Sequence, residues 1–63
     1  MILAYRNGTL ISVTLVRKHP ITTLLTDADK REYCYRESDA NRKLFTSQHA
    51  VEEAIEWIKR GQV

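Results

Sequence analysis

"REYCYRESDANRKLFTS", Arg31–Ser47, is the stretch whose reading decides the fold. Two tyrosines flank a cysteine, six residues without a bulky apolar side chain follow, then a basic pair, then Leu-Phe and two hydroxyls. A helix competes for its first part, because Thr26 with Asp29 three residues on has the form of a cap with an acidic N3 residue. A helix, however, would scatter Tyr33, Cys34 and Tyr35 around its circumference. A strand puts Arg31, Tyr33 and Tyr35 on one face and Glu32, Cys34 and Arg36 on the other. We favour the strand. "ESDAN" is then a turn, and "RKLFT" a returning strand with Lys43 and Phe45 on one face and Arg42 and Leu44 on the other.

Downstream, "TSQHAVEEAIEWIKRG" predicts a helix. Thr46 or Ser47 caps it, Glu52 and Glu53 lie where the dipole favours anions, and Lys59 and Arg60 lie where it favours cations. Gly61 is a stop. Val51, Ala54, Ile55 and Ile58 form an apolar stripe that Ala50 and Trp57 widen, with Ile55 and Ile58 as its expected anchors.

Upstream, Asn7-Gly8 is a hairpin signal suited to a type I′ turn. It joins strands expected at Ile2–Arg6 and Thr9–Arg17, the second dominated by β-branched types with Ile11, Val13 and Leu15 in phase. Pro20 breaks the pattern, "ITTLL" resumes it, and "TDADK" is a turn. The expected fold class is α+β: a small antiparallel sheet of four or five strands, opening on an N-terminal hairpin, with one C-terminal helix packed on one face. The opposite face then meets water, a second copy or a partner.

A chain of 63 residues is read as one domain, residues 1–63, with a small core and little stability to spare. One cysteine excludes an internal disulfide and fits a reducing compartment. The N-terminus lacks the pattern of a signal peptide, and no apolar run reaches the ~18 residues of a membrane span. A cytoplasmic location without membrane association is expected. Ten Lys/Arg against eight Asp/Glu give +2, mildly basic and well short of an electrostatic signature for nucleic acid.

Both glycines have structural roles, so no phosphate-binding loop is left, and no nucleophile elbow or metalloprotease helix occurs. His19, His49 and Cys34 are scattered, and "TDADK" lacks the oxygens of a calcium loop. Cys34 is read as a small buried filler rather than a nucleophile. No enzymatic activity, small-molecule substrate, cofactor or metal is expected. Tyr with Arg on a sheet face serves protein interfaces and single-stranded nucleic acid alike, and buried tyrosines are the plain structural alternative. The acidic outer side of the helix, Glu52, Glu53 and Glu56, disfavours its entry into a DNA groove.

"REYCYRESDANRKLFTSQHAVEEAIEWI" resembles the strand–turn–strand–helix half of the arm-type DNA-binding domain of phage tyrosine recombinases. There an aromatic strand ending in a basic residue, "YCYR" here, leads through a polar turn to a second strand and a covering helix. This resemblance implies sheet-mediated DNA contact, with Tyr35 and Arg36 as the residues that carry over. The chain departs from it in lacking a basic N-terminal arm and a turn glycine, and in bearing Glu37 and Asp39 at the tip. More loosely, the chain is similar to small accessory proteins of phages and mobile elements, many of which regulate a host protein.

The leading expectation is a non-catalytic interaction module, a small regulator that binds a protein partner or forms a homo-oligomer through Tyr33, Tyr35 and Arg31, with Arg17 beside them. The alternative is a sheet-based nucleic-acid-binding domain using Arg31, Tyr35, Arg36, Arg42 and Lys43.

Overall fold

Strand β1 (Ile2–Tyr5) is apolar along most of its length because both of its faces are covered, the usual cause of a short unbroken apolar run. Leu3 is buried on one side and Ala4 on the other. The computed structural model describes residues 1–61. Its further elements are β2 (Leu10–Ser12), β3 (Thr14–Lys18), β4 (Thr23–Thr26), β5 (Glu32–Tyr35), β6 (Arg42–Phe45) and α1 (Ala50–Arg60). The α+β class with a single C-terminal helix is therefore observed. The expected single sheet of four or five strands is replaced by six strands in two antiparallel sheets, ordered β2-β1-β6 and β3-β4-β5.

The division falls at Val13, inside the segment expected as one strand. Ile11 pairs with Leu3 of β1, and the Val13 N–H still donates to the Met1 carbonyl at 2.9 Å. The next residue, Thr14, pairs with Thr26 of β4. The chain changes partner within one residue and folds the second sheet over the first. Val16 is then left as an extra residue between the Leu15–Leu25 and Arg17–Leu24 pairs, a bulge that increases local twist.

The turns follow their chemistry, with one correction. Tyr5 N–H donates to Thr9 O and Gly8 N–H to Tyr5 O. Gly8 has φ +98°, while Asn7 is not in the left-handed region. The loop is thus a three-residue turn closed by a left-handed glycine rather than type I′, and Asn7 Oδ1 instead accepts the Thr9 N–H. His19 N–H closes on Thr22 O with Pro20 at the second turn position. In "TDADK" the Asp27 Oδ1 accepts the Asp29 and Arg31 N–H groups, both at 2.9 Å. Arg31 stays outside β5, whose Glu32–Tyr35 span settles the competition between helix and strand in favour of strand.

Two cores result. Between the sheets lie Leu3, Val13, Leu25 and Tyr35, flanked by Tyr5, Ile11, Tyr33 and Leu44. Between the first sheet and the helix lie Ala4, Ala54 and Ile58, flanked by Ile2, Phe45 and Trp57. The helix is rotated from the expected stripe: Ala50, Ala54 and Ile58 are buried, whereas Val51 is 46% and Ile55 41% exposed. Trp57 accounts for the rotation. Its ring meets Phe45 edge-on at 6.0 Å and carries the Arg6 guanidinium 3.6 Å above it, which draws that flank onto β6. Small alanines then let the helix approach β1.

Both helix ends also differ from expectation. Ser47 forms the entry turn, accepting the His49 N–H on its hydroxyl and the Ala50 N–H on its carbonyl, and its hydroxyl pairs with Glu53. His49 occupies the N-cap position with no side-chain cap bond. Gly61 is not left-handed (φ −84°). A Cβ there would sit 2.5 Å from Arg6 Nη1, so glycine makes room for the Arg6–Trp57 stack.

This packing ranks the helix substitutions. Ile58→Ala and Leu25→Ala should each cost about 2–5 kcal/mol in denaturant unfolding, as buried large-to-small changes do. Ile55→Ala should cost less than about 1 kcal/mol. A larger loss for Ile55→Ala than for Ile58→Ala would reverse the helix orientation.

Candidate functional site

The Asp39 turn builds one wall of the site. Asp39 Oδ1 accepts the Asn41 N–H at 2.9 Å, and Oδ2 accepts Arg42 Nε at 2.8 Å. From there Arg42 Nη2 reaches across the seam between the sheets to the Cys34 carbonyl, 2.8 Å away. The guanidinium carbon lies 6.0 Å from the Tyr5 ring centroid and 5.8 Å from that of Tyr35. Arg42 therefore fastens β6 to β5 where no ladder joins them. The Asn41 N–H first, and Arg42 second, hold the Asp39 carboxyl below its ordinary 3.8. Burial works against the Arg42 charge, but Asp39 and Tyr5 together outweigh it and raise the guanidinium pKa.

A second carboxylate organises the other end of β5. Besides its two backbone bonds, Asp27 accepts the Tyr33 hydroxyl on Oδ2 at 2.8 Å. The Arg31 N–H first, then Tyr33, lower the Asp27 pKa, and Asp27 in turn raises that of Tyr33.

These contacts locate the residues singled out from sequence. Tyr33 and Tyr35 do share a face of β5, and that face looks inward between the sheets: Tyr33 is half-buried and Tyr35 only 6% exposed. Arg17 pairs with Leu24, which pairs with Cys34, so Arg17 lies on the outer face of the second sheet. Arg31 and Arg36 are exposed on either side of β5. The structure does not gather Tyr33, Tyr35, Arg31 and Arg17 into one exposed patch. Cys34 is exposed on the outer face, not the buried filler expected.

A groove of about 630 Å³ follows the free edge of β6. Leu15, Lys18 and Tyr35 of the second sheet and Arg42, Lys43 and Leu44 of β6 line it, together with Arg6 and Trp57. Three residues of the nucleic-acid set, Tyr35, Arg42 and Lys43, are thus brought together. Glu37 and Asp39 also line it. Leu15 is 50% exposed, and Lys18 and Lys43 are in no ion pair among the described residues. Sequence reasoning missed Leu15, Lys18 and Leu44 as site residues, because they meet only once the chain has changed sheets at Val13.

The groove offers apolar contact, positive charge and a strand edge. Among the described residues there is no cluster of three or more His, Cys, Asp or Glu side chains able to hold a metal ion, and no helix is long and apolar enough to cross a membrane. No protein-family model, curated protein or solved structure matches the chain.

The lowered carboxylates make acid stability a test of both turns. Each contributes stability that is complete above the ordinary value of 3.8 and lost as pH falls through its lower native value. Thermal melting followed from about pH 5 to about pH 2 should therefore show a falling midpoint that flattens in Asp39→Asn and Asp27→Asn. Variants with the parent's full acid slope would show that these carboxylates are not held by the turns.

Proposed function

We propose that this chain is a non-catalytic interaction module, a small regulatory protein that docks a protein partner in the groove beside β6. The observation carrying this reading is the union, in one groove, of a strand edge with no partner strand among the described residues, half-exposed Leu15, and Lys18 and Lys43, which join no ion pair among those residues. Apolar contact gives a protein ligand its affinity, and surrounding charge gives it orientation. A stacking platform for nucleic-acid bases needs exposed aromatic faces. Tyr35 is buried here, Trp57 already carries Arg6, and Arg42 is committed to Asp39 and Cys34.

Affinity capture from the native cell, with and without nuclease, tests this reading when run beside Leu15→Asp. Leu15 is half-exposed, so the variant should melt close to the parent. A partner retained after nuclease and lost with Leu15→Asp is the expected result. Capture abolished by nuclease, with steep weakening by salt, would replace it with the nucleic-acid reading.

A further inference from the structure

We infer that the groove receives its ligand as an added β-strand: an extended segment of a partner protein, with alternating acidic and apolar residues, hydrogen-bonded to the free edge of β6. The inference rests on the functional reading above and specifies its ligand.

The edge follows from register. The Arg6 N–H donates to the Asn41 carbonyl, and beyond that pair Ala4 faces Lys43 and Ile2 faces Phe45. In an antiparallel ladder, alternate residues turn their N–H and C=O groups toward the same neighbour. Lys43 and Phe45 therefore bond inward to β1. Arg42 and Leu44 turn theirs outward, where β6 has no neighbouring strand among the described residues. The edge thus offers donor and acceptor together at every second residue, which matches a peptide backbone and not a phosphodiester.

The groove walls choose the side chains. Leu44 and Leu15 provide an apolar site for one side of the added strand. Lys18 lies on the same wall as Leu15, and Lys43 emerges from the other face of β6. Asp39 is already occupied by Arg42. Glu37 also lines the groove and joins no ion pair among the described residues; on the helix side, Glu53 shares a smaller cleft with Lys43, and Glu56 is bound to Arg60. Self-pairing through β6 would bring one Arg42–Lys43 pair against another, and an edge lysine disfavours that arrangement. Carboxylates on a partner strand satisfy the same lysines.

The test uses isotope-labelled full-length protein and a short synthetic peptide of alternating Glu and Val. Compared with it are the same peptide N-methylated at alternate residues and a Lys-Val counterpart. The Glu-Val peptide should slow amide exchange at Arg42 and Leu44, and N-methylation should abolish binding. The exposed-site double variant Lys18→Glu/Lys43→Glu should bind it roughly tenfold more weakly and prefer the Lys-Val peptide. Binding without protection of those amides, or equal binding of both peptides, would overturn the inference. So would protection of the same amides by a second copy without peptide, or displacement of the peptide by an oligonucleotide. If no Glu-Val binding occurs while a captured partner still depends on Leu15, strand addition fails and the functional reading stands. If neither peptide nor partner engages the groove, both fail.

Discussion

The fold depends on the one-residue exchange of partners at Val13. Its N–H closes the first sheet on Met1, its side chain is buried between the layers, and Thr14 already belongs to the second sheet. In so short a chain this is an economical way to make a sandwich. A single sheet under one helix would leave an entire face in water. Bending one strand into two sheets buries Leu3, Val13, Leu25 and Tyr35 between them and still leaves the other side of β1 for the helix. The groove is a by-product of that bend, because β5 and β6 approach without completing a ladder, and Arg42 spans the gap.

Arg42 connects local sequence to function. The "ESDAN" turn positions Asp39 three residues before Arg42, the carboxylate fixes the guanidinium, and the guanidinium reaches the Cys34 carbonyl between two tyrosine rings. A seam held by a side chain leaves the β6 backbone edge open, whereas a ladder would have consumed it. The same residue therefore closes the structure and keeps an interaction edge available.

Much of this was legible in the residues. Glycine after asparagine located the first hairpin, the β-branched runs located the strands, and charge distribution located the helix. Alternation correctly put Tyr33 and Tyr35 on one face of β5. Which face is interior was not legible, because it depends on the second sheet. Nothing marks Val13 as a crossing: Ile11, Val13 and Leu15 continue in phase through it. The helix rotation was hidden for another reason. Hydrophobicity favours Ile55 and Ile58 as anchors with Val51 in the stripe; Ile58 is buried, but close approach to β1 favours Ala50 and Ala54 over Val51 and Ile55, and the Arg6–Trp57 stack fixes the angle. At the site, the sequence supplied Tyr35, Arg42 and Lys43, while Leu15, Lys18 and Leu44 required the tertiary bend.

The contact partners of Tyr35 in solution test the two-sheet arrangement most directly. Nuclear Overhauser spectra should connect the Tyr35 ring with the side chains of Leu3, Val13 and Leu25, its companions between the sheets. Contacts from Tyr35 to Ala54 and Ile58 in their place would put the ring beneath the helix, join the strands into one sheet and remove the groove.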